Sequence, residues 1–382
     1  MAPDSAAKPT PLAFIDLQAQ RARIGARIDE AIAGVLGHGR YIMGPEVAEF
    51  EAQLAGFCGA RHAIGVGNGT DALVVALMAL DLQPGEAVLV PSFTFAATAE
   101  AVALVGAVPI FVDSEADSFN IDPTGLVPGL ERARHGGLTV RGVIAVDLFG
   151  QAADYKAIEA FCAENKLWLI CDAAQSFGAK AGSRAVGTIG NITTTSFFPA
   201  KPLGCYGDGG AVLTDDDELA EAIRSLRVHG KGKDKYDNVR IGMNSRLDTM
   251  QAAILIEKLS VFAEEIEARN KVADGYETGL SDIVKTPTVA PGNTSVWAQY
   301  TLTLDGDRDA VAASLKQQGI PTAIYYPMPL HQQSAYSSFP IAGNGLPVCE
   351  HLSRHVLSIP MHPYMGQAEQ ARVIDGVQAA LG

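Results

Sequence analysis

Short apolar runs alternate with amphipathic stretches along the first half of the chain. The runs VLV, VIAV and WLICD are almost wholly apolar, which is typical of strands that are covered on both faces. Helical patterns lie between most of these runs, and this alternation predicts an α/β fold with a central, mostly parallel sheet. The predicted strands span residues 62–66, 87–90, 109–113, 140–147 and 168–172.

A long amphipathic stretch marks the end of this first unit. It runs from Leu247 to about Arg269 and predicts a helix, because its apolar positions recur at helical spacing. Residues 286–293 hold two prolines and a glycine and predict a linker. The sequence therefore predicts a large domain over residues 12–268 and a smaller C-terminal domain over residues 269–382.

The smaller domain is itself predicted to be α/β. The segment SVWAQYTLTL alternates apolar and polar positions as a strand does, residues 307–318 read as a helix, and residues 322–326 read as another strand. No internal repeat accompanies these patterns.

Charge and cysteine usage narrow the class of protein. The formal net charge of −14 produces a negative field, which disfavours nucleic acid as a partner. The five cysteines are odd in number and lack Cys-x-x-Cys spacing, so neither a disulfide framework nor a zinc site is indicated. A cluster of basic residues is either a solvated face or an attractor for an anionic small molecule. Its members are Arg224, Arg227, Lys231, Lys233 and Lys235.

Membrane insertion and secretion are not expected. No apolar stretch approaches the ~20 residues that a membrane-spanning helix needs. Residues 1–11 lack the basic start and the apolar run of a secretory signal. We therefore expect a cytoplasmic protein.

The strongest chemical candidate is Lys201, within SFFPAKPLGCYGDGGA. Most lysines are solvated surface charges, but here an apolar strand is expected to lead into a glycine-rich turn. A desolvated lysine has a lowered pKa and becomes a nucleophile able to form a Schiff base. The glycines would let the backbone approach a bound planar ligand closely. They are Gly204, Gly207, Gly209 and Gly210.

Three further motifs have both a structural and a functional explanation. Asp172 ends a buried strand, where open α/β sheets bind ligands, and could pair with a protonated pyridine nitrogen or cap a helix. Gly69 and Thr70 follow a glycine turn at a predicted helix N-terminus, which is an anion site or merely a turn. Phe95 could stack on a flat ring or pack in the core. Together with Lys201, these motifs predict an enzyme that uses pyridoxal 5′-phosphate (PLP).

From near Phe14 to its C-terminus, the sequence resembles the DegT/DnrJ/EryC1/StrS family of sugar aminotransferases. The motifs that carry the resemblance are GNGTDAL, PSFTFAATA, CDAAQSFGA, SFFPAKPLGCYGDGGA and IGMNSRLDTMQAAIL. The resemblance implies fold type I of the PLP-dependent transferases, which is the aspartate aminotransferase fold. It also implies that Lys201 is the Schiff-base lysine, that Asp172 pairs with the pyridine nitrogen, and that Gln175 lies near the ring hydroxyl.

The resemblance assigns the other cofactor contacts as well. Phe95 is expected to stack on the ring, while Gly69, Thr70 and Ser196 hold the phosphate. Asn244 is expected to reach that phosphate from a second subunit. The resemblance therefore predicts a homodimer with shared active sites.

Within the family, the chain looks most like the branch that aminates C3 of UDP-N-acetyl-3-oxo-hexuronic acids, with glutamate as the expected amino donor. Such a role belongs to lipopolysaccharide or O-antigen sugar synthesis. Arg240 or Arg246 could meet the sugar carboxylate, because a guanidinium fork matches a carboxylate. Tyr325, Tyr326 and His331 are expected on the sugar side. Members of this branch often read His-Tyr-Pro where this chain reads Tyr-Tyr-Pro, so another nucleotide-linked 3- or 4-keto sugar is an alternative acceptor.

Two rival functions and one rival site stay open at this point. A sugar dehydratase of the same fold would carry histidine in place of Lys201, and a non-catalytic sensor or regulatory protein would keep the fold alone. His351 and His355 lie four residues apart on a predicted helix and could share a metal, but no third ligand is evident nearby, which favours solvated helix residues instead.

Overall fold

The computed structural model describes residues 12–234 and 236–382, so Lys235 of the basic cluster lies outside the described residues. The helices are α1 (Leu17–His38), α2 (Pro45–Cys58), α3 (Gly69–Ala79), α4 (Ala97–Leu104), α5 (Leu126–His135), α6 (Tyr155–Asn165), α7 (Asp217–Leu226), α8 (Thr249–Leu280), α9 (Arg308–Gln317), α10 (Pro347–His355) and α11 (Gln367–Leu381). The strands are β1 (His62–Val66), β2 (Ala87–Pro91), β3 (Val108–Val112), β4 (Val140–Val146), β5 (Trp168–Asp172), β6 (Lys180–Ala181), β7 (Arg184–Ala185), β8 (Ile192–Ser196), β9 (Gly210–Thr214), β10 (Tyr300–Thr303) and β11 (Val356–Ile359).

In this part of the chain, seven strands form the central sheet in the order β1-β9-β8-β5-β4-β2-β3. Strand β9 runs antiparallel to both of its neighbours, whereas every other neighbouring pair is parallel. Helices cover both faces of this sheet. The predicted α/β class with a mostly parallel central sheet is confirmed.

Alternation along the strands explains why the sheet is covered on both faces. Val90, Ile144 and Ile170 pack into one core with residues of α3, α4 and α7. Their neighbours Val143 and Leu169 pack into a second core with α5 and α6. Because successive strand residues point to opposite faces, each strand must be apolar at almost every position. This is the origin of the uninterrupted apolar runs in the sequence.

The helix predicted to end near Arg269 is longer than the sequence pattern suggested. Helix α8 continues to Leu280 and therefore passes through the boundary placed between residues 268 and 269. Its last turns bury Val272, Tyr276 and Leu280 in a core shared with β10, β11 and α11. Its earlier turns pack into two other cores, one shared with α2 and one with α1. One helix thus contributes to three cores, with no helix-breaking residue between Phe262 and Val272.

The strand predicted over residues 322–326 is wrong. The structure has only a single bridge there, between Ala323 and Ser358. Pro321 and Pro327 flank the segment, and proline lacks the N–H that a sheet ladder requires. Since the segment stays outside the sheet, its two tyrosines are free to line a cavity. Strand β10 is also shorter than the pattern SVWAQYTLTL predicted.

Candidate active site

A cavity of about 480 Å³ opens at the carboxyl ends of the central strands. Strands β5 and β8 end in its wall, and α3 begins there. Crevices of this kind are where open α/β sheets bind ligands. The cavity brings together most of the predicted site residues: Gly69, Thr70, Phe95, Asp172, Gln175, Ser196, Lys201, Tyr325 and Tyr326.

Lys201 reaches this cavity from a turn after β8. The strand itself ends at Ser196, and the Lys201 N–H donates to the carbonyl of Phe198 at 2.8 Å, which closes the turn. Burial lowers the pKa of Lys201, and the charge of Asp172 partly opposes this shift. A lysine amine with a lowered pKa carries its free electron pair nearer to neutral pH. The direction of this shift favours the neutral form of the Lys201 amine, which is the form that acts as a nucleophile or a base.

The glycines that follow Lys201 have a different purpose from the predicted one. A Cβ on Gly204 would lie 2.6 Å from the carbonyl oxygens of Phe198 and Pro199, and one on Gly210 would lie 2.4 Å from the carbonyl oxygen of Asn68. These glycines let the lysine turn pack against protein backbone. None of Gly204, Gly207, Gly209 and Gly210 lines the cavity, so the prediction that they admit a ligand is wrong.

Asp172 faces Lys201 across the cavity. Its Oδ1 accepts from the Ala174 N–H at 3.0 Å, and no α-helix follows it, which rules out the helix-cap explanation. Burial raises the pKa of Asp172, while the Ala174 N–H and the charge of Lys201 oppose the shift. Among the described residues, no ion pair within 4 Å joins Asp172 to Lys201. Both groups line the same cavity, so a third group bound there could contact each of them.

The start of α3 and the end of β8 form one wall. Asn68 caps α3, because its side chain accepts from the Asp71 N–H at 2.8 Å. A Cβ on Gly69 would lie 2.7 Å from the Cβ of Ser196, so only glycine permits this contact. The exposed N–H groups of a helix start beside a hydroxyl form an anion site. Gly69, Thr70 and Ser196 therefore lie together in one wall of the cavity, where they could hold a phosphate.

Gln175 is held by hydrogen bonds at both ends of its amide. Its Oε1 accepts from the Phe149 N–H at 2.8 Å, and its Nε2 donates to the Tyr326 hydroxyl at 3.3 Å. The next residue, Ser176, donates to the buried Asp147 carboxylate at 2.8 Å. That carboxylate also accepts from Tyr155 at 2.6 Å, and burial raises its pKa to about 6. Phe149 thus holds Gln175 directly and Asp147 holds the adjacent Ser176, and no local sequence pattern indicated either residue.

An exposed aromatic ring stands at the cavity wall. Phe95 is 57% exposed, whereas Phe93 is 1% exposed and fills the core instead. The core-packing explanation for Phe95 is therefore wrong. Its ring centroid lies 6.4 Å from that of Tyr326, and a ring this exposed offers a face to a flat ligand.

Four predicted residues lie outside the cavity. Both ring nitrogens of His331 are engaged within the chain, with Ser92 at 2.7 Å and Glu350 at 3.2 Å. Asn244 is exposed and Arg246 is half-buried. Arg240 lines a separate, wider groove beside α3 and α7.

Several lining residues were not predicted as site residues. Thr94 and Thr98 belong to the motif PSFTFAATA. They are four positions apart, which places both hydroxyls on one side of a turn, so their spacing could have indicated them. Gln299 and Ile15 lie in segments that carry no local signal. They reach the cavity through the fold of the segment before β10 and of the segment before α1.

The basic cluster does not form an anion site as a group. Arg227 is 4% exposed, and its guanidinium is bonded to Glu51 and to the carbonyl of Gly65. His351 and His355 stack on each other at 3.9 Å. Within the described ranges, no group of three or more His, Cys, Asp or Glu side chains could hold a metal ion. In the same ranges, no helix combines the length and the apolar character needed to cross a lipid bilayer.

The cavity fits PLP. The cofactor carries a phosphate, a flat ring, an aldehyde and a basic ring nitrogen, and the cavity offers a partner for each. The start of α3 with Ser196 suits the phosphate, and Phe95 suits the ring. Lys201 suits the aldehyde, and the buried carboxylate of Asp172, which has one hydrogen bond from the described residues, suits the nitrogen.

The model of the DegT/DnrJ/EryC1/StrS aminotransferase family matches residues 22–378, and the chain belongs to this family. Membership confirms the predicted aminotransferase class and PLP as its cofactor.

Individual relatives cover nearly the whole chain. A UDP-2-acetamido-2-deoxy-3-oxo-D-glucuronate aminotransferase of Pseudomonas aeruginosa is 48% identical, over 93% of this chain and 96% of its own. A protein of Geobacillus stearothermophilus named a pleiotropic regulatory protein is 41% identical, over 95% of this chain and 97% of its own. The crystal structure of a family aminotransferase from Brucella abortus has a TM-score of 0.95 and 51% identity, and the match covers 97% of this chain and all of that one.

Proposed function

We propose that this enzyme transfers an amino group from L-glutamate to C3 of a UDP-linked N-acetyl-3-oxo-hexuronic acid. The observation that carries the proposal is a cavity with an anion site that is lined by both a half-buried lysine, Lys201, and a buried carboxylate, Asp172. The choice of sugar rests on the 48% identical relative from Pseudomonas aeruginosa.

The residues that line the cavity have separate roles in the proposed reaction. When bound, PLP supplies a ring that withdraws electrons from the donor's α-carbon. The Lys201 amine would remove the proton from that α-carbon and donate it to the cofactor carbon that bears the transferred nitrogen, a role that its lowered pKa favours. The Asp172 carboxylate holds a proton on the ring nitrogen, since a buried negative charge stabilises a positive one beside it. Tyr325 and Tyr326 shape the side where the sugar would enter.

A panel of nucleotide keto-sugars tests the proposal. The purified enzyme is incubated with PLP, glutamate and each sugar in turn, and products are identified by mass and NMR. We expect amination of the UDP-N-acetyl-3-oxo-hexuronic acid at C3 and much slower turnover of 4-keto and 6-deoxy sugars. If the enzyme aminates another keto-sugar faster, the proposed substrate is wrong but the proposed reaction class is unchanged.

We further propose a homodimer in which Asn244 completes the partner's phosphate site. Asn244 is exposed and lies outside the cavity of its own chain. Its segment carries exposed apolar side chains, with Ile241 91% and Val239 54% exposed, as expected of a surface that a second copy covers. Ser245, the next residue, anchors the segment by accepting from the Gly67 N–H at 3.0 Å.

Hybrid dimers test this sharing. The variants Lys201→Ala and Asn244→Ala are each expected to be inactive or nearly so. If the sites are shared, a hybrid of the two has one site with both residues intact, and mixing should restore up to roughly a quarter to a half of wild-type activity per dimer. Hybrid formation is verified with two affinity tags. Verified hybrids without activity would show that Asn244 acts within its own chain.

A regulatory protein on the same fold is the second candidate, because the relative from Geobacillus stearothermophilus carries such a name. The two candidates differ in a simple observable. An aminotransferase purified with PLP shows the absorbance of the bound cofactor, and the addition of glutamate changes that absorbance. A chain that neither binds PLP nor responds to glutamate would be a regulator.

We also propose a cytoplasmic location and a role in lipopolysaccharide or O-antigen sugar synthesis. All five cysteines are free and buried, which suits a reducing compartment. The role in sugar synthesis is supported by the UDP-linked sugar in the name of the Pseudomonas aeruginosa relative.

A further inference from the structure

A buried carboxylate lies directly behind one wall of the active-site cavity. Asp147 follows β4, is fully buried and does not line the cavity. Its neighbour Val146 pairs with Asp172 across β4 and β5, and both of these residues line the cavity. Because successive strand residues point to opposite faces, Asp147 and Cys171 point away from the cavity, and Cys171 packs in the second core. The Asp147 carboxylate therefore cannot touch a molecule bound in the cavity.

Hydrogen bonds, and no cation, stabilise this carboxylate. Its Oδ1 accepts from the Tyr155 hydroxyl at 2.6 Å and from the Ala153 N–H at 2.9 Å. Its Oδ2 accepts from the Ser176 hydroxyl at 2.8 Å, and the Cys171 thiol lies 3.6 Å from the same oxygen. In the part of the chain that the structure describes, no Lys, Arg or His side chain lies within 4 Å of either oxygen. A buried charge needs such donors, so the four groups and the carboxylate hold each other in place.

Asp147 contacts both ends of the segment 172–176, which carries two polar residues of the cavity wall. At the start of the segment, the Asp147 N–H donates to the carbonyl of Asp172 at 3.0 Å. At its end, the Asp147 carboxylate accepts from the Ser176 hydroxyl. Asp172 and Gln175 line the cavity between these two contacts. One residue behind the wall thus fixes the segment at both ends.

Backbone hydrogen bonds hold the middle of the same segment independently of Asp147. The Ala173 N–H donates to the carbonyl of Thr194 at 2.8 Å, and the Ala173 carbonyl accepts from the N–H groups of Ser176 and Phe177 at 3.1 and 3.0 Å. Loss of the Ser176 hydroxyl would leave these bonds intact. The segment should then stay folded but lose the side-chain contact that fixes its end.

We infer that Asp147 is a positioning residue for transamination, whose side chain acts through Ser176 to keep Asp172 and Gln175 in their places in the cavity wall. The inference rests on the proposed function, in which Asp172 stabilises a protonated ring nitrogen. Catalytic groups must be placed closely, since a displacement of about 1 Å can reduce a rate roughly 100-fold. A fully buried residue can therefore affect the reaction without touching a reactant.

Ser176→Ala removes the contact through which Asp147 is inferred to act. The half-reaction of the PLP-loaded enzyme with glutamate is followed by the absorbance of the cofactor. We expect its maximal rate to fall roughly 10-fold, while the half-saturating glutamate concentration stays within about twofold of wild type. The pH at which the cofactor absorbance changes should also shift, because the proton affinity of the ring nitrogen depends on its distance from the Asp172 carboxylate. An unchanged rate with an unchanged pH titration would overturn the inference.

Ser358→Ala is a matched control for this variant. Ser358 is as fully buried as Ser176, and its hydroxyl lies 2.8 Å from that of Thr301 in the sheet of β10 and β11. Each substitution removes one buried hydroxyl and its hydrogen bond, so the two variants should lose similar amounts of Tm. Only Ser176→Ala should change the half-reaction rate and the pH titration of the cofactor. Equal changes in both variants would show that lost stability explains the effect, and the inference would be wrong.

Asp147→Asn tests whether the carboxylate acts through Ser176. Asparagine keeps an oxygen at only one of the two positions, so it can accept from Tyr155 or from Ser176 but not from both. We expect the half-reaction rate to fall roughly 10- to 100-fold. The double variant Asp147→Asn/Ser176→Ala should then lose little more than Asp147→Asn alone, because both changes break the same contact. Losses that multiply in the double variant would show that the two residues act independently and would overturn the inference. If Asp147→Asn does not fold, the comparison of Ser176→Ala with Ser358→Ala still decides.

The outcomes separate this inference from the proposed function. If wild type reacts with glutamate but aminates no sugar of the panel, the proposed substrate fails and the inference is still tested by the half-reaction. If Asp172→Asn reacts with glutamate as fast as wild type, the proposed role of Asp172 fails, and the inference fails with it. If Asp172→Asn is impaired and Ser176→Ala behaves as wild type, only the inference fails.

Discussion

Replacing Lys201 with alanine is expected to abolish transamination and leave the fold intact. The amine has two roles: it attaches the cofactor, and it removes the proton from the donor's α-carbon. The substitution therefore removes both contributions to catalysis at once. General base catalysis alone contributes roughly 10²- to 10⁴-fold, and the combined loss should be at least about 10⁴-fold in kcat. The fold should survive, because no hydrogen bond or ion pair to the described residues depends on the Lys201 amine.

Lys258 provides a matched control for this experiment. It is also a buried lysine whose pKa is lowered by burial, to about 8, but its amine lies 4.3 Å from the Tyr206 ring and outside the active-site cavity. Borohydride treatment of PLP-loaded protein, followed by peptide mapping, should label Lys201 in wild type and in Lys258→Met. A label on Lys258, or on neither lysine, would contradict the assignment of Lys201.

The part of the site that the sequence predicts well is the part that local rules determine. Asp172 and Ser196 end buried strands, and Gly69 follows one, so the tendency of open sheets to bind ligands at strand ends places all three near each other. Lys201 follows the same logic, because it lies in the turn after β8. Apolar runs located β1 and β5, whereas β8 reads ITTTS and was not among the predicted strands; the chemistry of the residues after these strands then indicated the cofactor.

The positions of the other site residues depend on packing between segments that are distant in sequence. No local sequence pattern indicates this packing. Phe149 positions Gln175 through a left-handed backbone that the residue type disfavours, and Asp147 acts through Ser176. Gln299 enters the cavity from the second domain. His331 lies outside the cavity because its ring is hydrogen-bonded to Ser92 and Glu350, and no local sequence pattern indicates these contacts.

Replacing Asp172 with asparagine is expected to cost roughly 10²- to 10⁴-fold in kcat while PLP still binds. Asparagine keeps the oxygen that accepts from the Ala174 N–H but loses the charge that stabilises a protonated ring nitrogen. The phosphate wall and Lys201 are unaffected, so the cofactor should remain attached. Asp154→Asn removes a carboxylate that caps α6 and should leave kcat near wild type. Equal kcat in wild type and Asp172→Asn would show that another group serves the ring nitrogen.

Thermal unfolding with and without PLP provides a second test of Asp172. Burial raises the pKa of Asp172 in the folded chain above its unfolded value. Stability linked to this group is therefore present at low pH and lost as pH rises through the folded pKa, so at neutral pH the ionised carboxylate destabilises the cofactor-free protein. Cofactor-free Asp172→Asn should then have a Tm at neutral pH no lower than that of wild type. PLP should raise the Tm of wild type more than that of the variant, since only the carboxylate gains a cationic partner. An equal or larger rise in the variant would mean that the carboxylate and the ring nitrogen do not interact.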